Sequence, residues 1–382
     1  MKSRGSHDHL AVNDLLIEFF MSVKANLRHA VIQPTVLFIT PIKKNTLMRI
    51  LLIFLTLFSL FTTPAFAQNK QLRVGYQTGE VNVLLTYAIN AGLFEKQQID
   101  VKLIPFPAGP AMLPALASKE IDLAWMGEFP SITGYSNGMP IEILMMERID
   151  YTNIRVVGNP KAGIKNIGDL KGKKVGISVG SSSHYHLLKV LAQAGLKQSD
   201  VTIVNLTPAN MPPAYIAGQI DAAVTWEPNV GIIEKAGALP IATTRSLGMI
   251  TGGVWVGQQD LSRNNAEVLQ AFLRAWRQAQ HDYVVNPKAV RQYEAKRIGQ
   301  TPEEFDALIE RQSVENPSFE KVLTADFMGA PGKELDSRLM KHLQSIGAFL
   351  VSEQRIKETP KDWASLFNTG PIQKVIASEK SQ

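Results

Sequence analysis

Two short polar segments have residue types that suit the binding of a small anion. Residues 127–131, Gly-Glu-Phe-Pro-Ser, follow one apolar run, and residues 180–185, which include three consecutive serines, follow another. At a helix N-terminus, free backbone N–H groups and the helix dipole both favour negative charge. Ordinary helix capping explains each segment when it is considered alone. Their shared position after predicted strands favours an anion site, with Ser181, Ser182 and Ser183 as hydroxyl donors.

A regular alternation of short apolar runs with helical sequence positions these segments. Five strands are predicted before the Asn159-Pro160 break, at 72–76, 101–104, 121–126, 141–146 and 154–157. Four more are predicted after it, at 175–179, 201–205, 222–226 and 254–257. The two halves resemble each other, because Ile-Asp followed by a short apolar run and a tryptophan occurs in both. The pattern predicts an α/β fold of two parallel-sheet lobes, with a ligand between the carboxyl ends of their strands.

The composition narrows the function classes. The 382 residues include no cysteine, which excludes a disulfide framework, a cysteine nucleophile and a lipid-carrying cysteine. Seven of the 40 basic and three of the 34 acidic residues precede residue 68, so the rest of the chain has a net charge of only about +2. This balance gives no support for a nucleic-acid partner. Walker A, G-x-G-x-x-G and H-E-x-x-H signatures are absent, so we expect neither an enzyme nor a cofactor.

The N-terminal region has the three parts of a secretory signal peptide. A basic start that includes Arg49 precedes an apolar run at 50–61, and Ala65-Phe66-Ala67 supplies a cleavage site. The run is shorter than the roughly 20 residues that a membrane span needs, and an uncleaved anchor is the alternative. We predict a signal peptide at 48–67, preceded at 1–47 by a mis-assigned start or an unstructured leader. Export without a lipid anchor predicts a periplasmic protein.

Several segments together resemble the periplasmic binding proteins of the nitrate, sulfonate and taurine ABC importers. The resemblance covers 70–375 and is carried by the segments at 74–78, 115–122, 167–176, 182–188, 204–208 and 218–228. It implies a hinged two-lobe fold of type II, with lobe one at 68–158 and 255–382 and lobe two at 159–254. It also implies a protein, expected to be a monomer, that delivers a small sulfonate to a permease and its ATPase. The Ser-Ser-His-Tyr and Val-Asn-Leu-Thr-Pro sequences are most similar to the taurine-binding branch.

Taurine carries an ammonium as well as a sulfonate, so the resemblance implies a carboxylate in the site. The candidates are Glu128, beside Phe129, and Glu227, beside Trp226. Glu227 is favoured, because a carboxylate at the anion end would repel the sulfonate, and Trp226 would add a cation–π contact of ~0.5–2 kcal/mol. As the alternative, Trp226 is only a wall of the site and Glu227 only caps a helix.

The remaining candidates are polar groups near strand ends. His184 is expected to donate to the anion, and Tyr185 belongs to the same segment. His186 is two residues further on and therefore on another helix face, so we expect it to be solvated and expect no metal site. Gln77, Thr78 and Asn210 complete the predicted site, with turn formation as the alternative for all three.

One departure from the resemblance leaves the ligand open. Before the Val-Trp-Val sequence at 254–256 the chain has Gly252 and Gly253, where the taurine-binding branch tends to place an acidic residue. Either one of the two glutamates recognises the amine instead, or the ligand is a plain alkanesulfonate. Nitrate as the ligand, and ligand sensing in place of transport, also stay open at this point.

Overall fold

A computed structural model describes residues 70–379. The predicted leader at 1–47 and signal peptide at 48–67 lie outside the described residues. The described part contains eleven β-strands: β1 (Lys70–Gln77), β2 (Ile99–Phe106), β3 (Leu123–Gly127), β4 (Ile141–Asp150), β5 (Arg155–Gly158), β6 (Lys174–Ile177), β7 (Thr202–Asn205), β8 (Ala222–Thr225), β9 (Leu239–Thr243), β10 (Thr251–Gln258) and β11 (Val314–Glu315). None of its helices is long and apolar enough to cross a membrane.

Fourteen α-helices connect the strands within residues 70–379. They are α1 (Val83–Asn90), α2 (Leu93–Lys96), α3 (Met112–Ala117), α4 (Glu128–Ser136), α5 (Ser182–Gln193), α6 (Met211–Ile216), α7 (Asn229–Lys235), α8 (Gln259–Asn264), α9 (Ala266–Val285), α10 (Pro287–Arg297), α11 (Pro302–Gln312), α12 (Phe319–Val322), α13 (Arg338–Ser352) and α14 (Gly370–Glu379). The predicted α/β class is therefore confirmed.

The strands form two separate sheets, one for each lobe. The first has the order β11-β4-β10-β3-β1-β2, and the second has the order β7-β6-β8-β5-β9. Five strands of each sheet correspond in order, with β1, β2 and β3 matching β6, β7 and β8. This correspondence explains the resemblance between the two halves of the sequence, because the two Ile-Asp-to-tryptophan segments occupy equivalent strands, β3 and β8.

The sheets are mixed and not parallel throughout, which corrects the prediction of parallel-sheet lobes. β10 runs antiparallel to both β3 and β4, and β5 runs antiparallel to both β8 and β9. The antiparallel strands β5 and β10 are the ones that the chain enters just after it crosses between the lobes. A helical crossover returns the chain to the end of the sheet where the previous strand began, so the two strands run parallel. A strand that arrives from the other lobe enters its sheet at the opposite end and therefore runs antiparallel to its neighbours.

The crossings also differ from the predicted lobe boundaries at 158/159 and 254/255. β5 pairs with β8 and β9 in the second sheet, and all of β10 pairs with β3 and β4 in the first. The chain therefore changes lobe in the short segments 151–154 and 244–250.

Nine of the strands coincide with predicted runs, whereas β9 and β11 were missed. β9 is an edge strand that contains a proline, and β11 has two residues, so neither has a clear strand pattern.

Lobe one has the larger hydrophobic core, which is centred on β10 and α9. The indole of Trp255 contacts the rings of Phe272 and Trp276 at centroid distances of 5.1 and 5.0 Å. All three side chains are at most 1% exposed, and each contributes roughly 1.5–3 kcal/mol through burial of apolar surface. This packing fixes β10 in the centre of the sheet, next to β4 and β3.

Candidate functional site

A cleft between the two lobes is lined by residues from the ends of strands in both sheets. Lobe one contributes Gln77, Glu80, Trp125, Gly127 and Arg148, together with others, and lobe two contributes Ser181, Ser182 and Trp226. The cleft has about 380 Å³ of space, its mouth included. The cleft is narrow, which favours a ligand of few atoms.

The N-termini of α4 and α5 meet across the cleft. Ser181 is the N-cap of α5, and its hydroxyl accepts a hydrogen bond from the backbone N–H of Ser183 at 3.2 Å. A Cβ atom on Gly127, the N-cap of α4, would lie only 2.5 Å from the Ser182 hydroxyl. Glycine therefore permits the approach of the two helices. Their free N–H groups and dipoles form a positive wall for an anion.

A buried arginine forms the second charged feature of the cleft. Arg148 donates to Glu80 Oε1 at 2.8 Å and to the Val81 carbonyl at 3.0 Å, and its Nε lies 3.2 Å from Asp150 Oδ1. Its guanidinium carbon lies 4.7 Å from the centre of the Trp125 ring. The guanidinium, the two carboxylates and the indole are all almost completely buried.

A β-bulge directs Arg148 into the cleft. In the pairing of β10 with β4, Gly253 lies opposite Arg148 and Val254 lies opposite Met146, so Glu147 has no partner in β10. A bulge residue bends its strand and redirects the side chains beside it. Arg148 consequently lines the cleft while Glu147 lines a different cavity.

The carboxylates around Arg148 are held in an environment that disfavours negative charge. Burial raises the pKa of Glu80 to about 7, although the charge of Arg148 opposes this shift. Burial also raises the pKa of Asp150, again against the effect of Arg148. One oxygen of Asp150, Oδ1, is buried without a hydrogen-bond partner. A ligand cation placed here would find two carboxylates that share a single arginine.

The two glycines that precede the Val-Trp-Val sequence are required by packing. A Cβ atom on Gly252 would overlap the Arg148 carbonyl oxygen and lie 2.8 Å from Met146 Cε. A Cβ atom on Gly253 would lie 2.7–2.8 Å from atoms of the Trp125 indole and overlap its ring. An acidic side chain has no room at either position in this chain, so any carboxylate that recognises an amine must come from another strand.

The structure brings four of the twelve predicted site residues to the cleft lining: Gln77, Ser181, Ser182 and Trp226. The amide oxygen of Gln77 accepts from the Gly109 N–H at 2.8 Å. The indole N–H of Trp226 donates to the Gly79 carbonyl at 3.0 Å and so joins lobe two to lobe one. Trp226 is therefore both a wall of the cleft and a closing contact.

Glu128 lies beside the cleft lining and not in it. Its carboxylate accepts from Thr251 Oγ1 at 2.9 Å, from the Gly252 N–H at 3.1 Å and from Ser182 Oγ at 3.5 Å. Burial alone would raise its pKa, but a hydrogen bond and charge from His342, with backbone donors, lower the pKa below its ordinary value. Glu128 thus anchors β10 and the α5 N-terminus, and its carboxylate oxygens already accept hydrogen bonds from these elements.

The favoured amine partner, Glu227, is a wrong prediction. Its side chain is fully buried, forms an ion pair with Arg155 and lies 3.2 Å from Nε of Arg311. Two guanidinium groups therefore already compensate this carboxylate, and it lies outside the cleft lining. The sequence interpretation failed because it took the neighbour of a cleft tryptophan to share its direction, whereas adjacent residues at a strand end point to opposite sides.

The two histidines are also corrected. His184 is buried outside the cleft lining, and its Nδ1 accepts from the Gly180 N–H at 3.3 Å. His186 was expected to be solvated, yet it is 1% exposed, with Nδ1 2.8 Å from the Ser182 carbonyl and Nε2 3.0 Å from Thr244 Oγ1. Burial, aided for His184 by the charge of Arg355, lowers the pKa of each histidine to about 4. Both are therefore neutral at pH 7 and bring no positive charge to an anion.

The other predicted residues have structural contacts elsewhere. Phe129 and Tyr185 stack on each other across the lobes at a centroid distance of 5.5 Å. Ser183 is buried, with its hydroxyl 2.8 Å from the Ser181 hydroxyl. Thr78 and Asn210 are exposed, and the Thr78 N–H donates to the Phe106 carbonyl at 3.0 Å. For these two residues the turn alternative agrees with the structure.

The sequence interpretation missed Glu80, Trp125, Arg148 and Asp150. A signal for two of them was present, because Glu147-Arg148-Ile149-Asp150 ends a strand that is apolar from 143 to 146 and whose ten residues are all buried. Charges at buried positions are expensive unless they are paired, so they often mark a functional site.

The raised pKa of Glu80 predicts a pH-dependent stability. The pKa rises from about 4.5 in the unfolded chain to about 7 in the folded chain, so the folded state binds the proton more tightly. The stabilisation is complete below about pH 4.5 and is lost as the pH rises through 7. Between pH 5 and pH 8 the unfolding free energy of the wild type should therefore fall by about 2 kcal/mol more than that of the Glu80→Gln variant, which has no proton to release at this position. Urea unfolding at both values measures this difference. The exposed Glu120→Gln variant should keep the wild-type change, and an unaltered change in Glu80→Gln would contradict the assignment.

The chain is similar to known proteins in its family model, in its sequence and in its fold. The family model described as "NMT1/THI5 like" matches residues 82–290. The chain is 32% identical over 223 residues to the putative aliphatic sulfonates-binding protein of Escherichia coli K12, covering 58% of this chain and 69% of that protein. It is also 32% identical over 225 residues to the taurine-binding periplasmic protein of the same strain, with the same two coverages. The solved structure of the alkanesulfonate-binding protein SsuA from Xanthomonas axonopodis pv. citri, bound to MOPS, has a TM-score of 0.61 and 26% identity, and covers 77% of this chain and 96% of that chain.

Proposed function

This chain belongs to the NMT1/THI5-like family, and on that premise we propose that it is the periplasmic solute-binding component of an ABC importer for a small zwitterionic sulfonate such as taurine. The relatives described above are binding proteins for sulfonates or taurine. Capture between two lobes, followed by delivery to a permease, accounts for a cleft that both lobes line.

One observation carries the choice of ligand: the cleft combines an anion-binding wall with carboxylates. The N-termini of α4 and α5 meet at Gly127 and Ser182, and they suit the three acceptor oxygens of a sulfonate. Asp150 and Glu80 share Arg148 nearby. An ammonium would supply the positive charge that the second carboxylate lacks, whereas nitrate or a plain alkanesulfonate would add another negative charge.

Asp150 takes the role of amine partner in this proposal. Asp150 lines the cleft, and its Oδ1 has the ion-pair contact with Arg148 Nε at 3.2 Å but no hydrogen-bond partner, so a donor from the ligand would satisfy it. Trp125 and Trp226 supply the adjacent aromatic walls, against which a short carbon chain with an ammonium group packs favourably. The orientation that follows places the sulfonate at the helix N-termini and the ammonium at Asp150.

Closure of the lobes on the ligand is supported by contacts at the edge of the cleft. Trp226 Nε1 and Asn229 Nδ2, both of lobe two, donate to the Gly79 carbonyl of lobe one at 3.0 and 3.2 Å. The crossings at 151–154 and 244–250 are the segments in which a hinge motion would occur. A ligand that contacts both lobes would therefore favour the closed state.

Calorimetric titration with taurine, ethanesulfonate and nitrate tests the function. We expect taurine to bind at least about tenfold more tightly than ethanesulfonate, because a buried charge-assisted hydrogen bond contributes about 1.5–3 kcal/mol. Nitrate should bind more weakly than either compound. Stronger binding of ethanesulfonate than of taurine would contradict the amine site, and absence of binding for all three would contradict the sulfonate-binding function.

The Asp150→Asn variant isolates the amine contact. We expect taurine affinity to fall about tenfold or more, while ethanesulfonate affinity stays the same or rises, since only taurine brings a cation to the lost charge. Asp122→Asn serves as the control, because Asp122 pairs with Arg73 away from the cleft. Equal losses for the two ligands would contradict the role of Asp150.

A further inference from the structure

Lobe one contains a second cavity that adjoins the cleft and is larger than it. This cavity has about 1500 Å³ of space, its mouth included, and Arg148 lines both cavities. Its walls come from β4, α11, the end of α9 and the segment 314–320. It reaches solvent at Val284, whose side chain is 80% exposed. A small molecule therefore has access to it without passing through the cleft.

The inner wall of this cavity is largely apolar. Val81, Leu84 and Phe319 line it, and each is at most 4% exposed. Ile309 and Val314 extend the same wall. A wall of this kind accepts an aliphatic or aromatic group, as in most small-molecule sites.

A single buried carboxylate, that of Glu147, interrupts the apolar wall. The bulge in β4 directs Glu147 to this side of the sheet, where it is 6% exposed. The charge of Arg148 and a hydrogen bond from the Trp125 side chain favour its ionised form. Arg148, however, already bonds to Glu80 and the Val81 carbonyl and lies beside Asp150. Burial raises the pKa of Glu147 to about 7, with Arg148 opposing the shift. The carboxylate is therefore short of positive charge.

The arginines at the rim already have carboxylate partners. Arg277 forms ion pairs with Glu320 at 2.8 Å and with Glu379 at 2.9 Å. Arg291 pairs with Asp306 at 2.9 Å. The charges of these two arginines are therefore compensated, although Arg277 Nη1 has no hydrogen-bond partner. The carboxylate in the cavity that lacks an ion-pair partner of its own is that of Glu147.

We propose that this cavity is a second ligand site, which binds a small organic cation: an ammonium group that pairs with Glu147 and carries an apolar tail packed against Val81, Leu84 and Phe319. The site is separate from the sulfonate cleft and does not depend on the identity of the ligand there. A primary alkylamine suits it, because such a group stays protonated near pH 7, with a pKa close to the value of about 10.4 for lysine.

Titration of the full chain with n-hexylammonium and 1-hexanol tests the proposal. The two probes share the tail and differ in charge. We expect hexylammonium to bind about tenfold or more tightly than hexanol, and the Glu147→Gln variant to remove that preference. Equal affinities of the wild type for the two probes, or an unchanged preference in Glu147→Gln, would overturn it.

Two further variants separate a specific site from a general loss of structure. Glu147→Asp keeps the charge and should keep the preference for hexylammonium, which tests the proposal even if Glu147→Gln folds poorly. Glu320→Gln alters a rim carboxylate of Arg277 and should retain at least part of the preference; complete loss there would place the cation at the rim and overturn the assignment to Glu147. Hexylammonium should also bind in the presence of saturating taurine and to Asp150→Asn. Displacement by taurine would assign the amine to the cleft and overturn the second site, whatever the outcome for taurine itself.

Discussion

The Arg148→Met variant is expected to lose measurable sulfonate binding and to unfold with about 3–5 kcal/mol less free energy than the wild type. Arg148 is 5% exposed and holds Glu80 and Asp150 at 2.8 and 3.2 Å, while its guanidinium lies over the Trp125 ring. Removing it leaves two buried carboxylates without their common cation. Because these carboxylates line the cleft, their uncompensated charge would also repel an incoming sulfonate.

Chemical denaturation and calorimetry measure the two effects of this change. Arg73→Met is the matched control, since Arg73 forms a similar two-point ion pair with Asp122 but its side chain is 36% exposed. We expect the control to lose about 1 kcal/mol or less, as partly exposed ion pairs usually do, and to bind ligand normally. Comparable losses in the two variants would show that burial does not distinguish them and would remove Arg148 from the centre of the site.

The Gly252→Ala variant is expected to cost about 3 kcal/mol of unfolding free energy and to weaken ligand binding at least tenfold. The added methyl group would overlap the backbone carbonyl of Arg148, and a backbone atom cannot rotate away as a side chain can. Separation of β10 from β4 would also displace the Gly252 N–H from Glu128, which it now meets at 3.1 Å. The change therefore disturbs the strand that supplies Arg148 and the anchor of the α5 N-terminus together.

A second glycine beside the cleft provides the control. A Cβ atom on Gly79 would meet Pro208 at 3.4 Å, an ordinary van der Waals distance, so Gly79→Ala should keep stability within about 1 kcal/mol of the wild type. Thermal unfolding and taurine titration of both variants make the comparison. If Gly252→Ala were as stable as Gly79→Ala, the close approach of β10 to β4 would not be the reason for glycine at 252.

The glycine pair changes how the departure from the taurine-binding pattern is understood. From the sequence, Gly252 and Gly253 suggested that amine recognition was either moved or lost. In the fold, the Arg148 backbone and the Trp125 ring occupy the space that a side chain at 252 or 253 would need. A carboxylate reaches the cleft from the neighbouring strand β4 instead, at Asp150. The missing acid on β10 is therefore compatible with an amine site built from β4.

The sequence was sufficient for features that depend on local pattern. The runs of apolar residues identified nine strands, because a buried strand needs a continuous apolar segment wherever it lies in the sheet. The serine cluster identified the N-cap of α5, because capping involves residues only two or three apart. Likewise, Trp125 and Trp226 both follow an Ile-Asp sequence, which is a visible sign that β3 and β8 are equivalent strands.

Only the tertiary structure decided which charged groups meet. Glu227 and Asp150 are both carboxylates near strand ends, and each keeps one oxygen without a hydrogen-bond partner. Asp150 lines the cleft, whereas Glu227 lies outside it and is compensated by Arg155 and Arg311. The two arginines that compensate Glu227 are 72 or more residues away from it in the sequence. The contact of Asp150 with Arg148 depends on the bulge that directs Arg148 into the cleft. Serines that cap a helix can be found from their neighbours in the chain, whereas the direction and compensation of a buried charge depend on strand register, bulges and contacts between lobes, which the order of residues does not display.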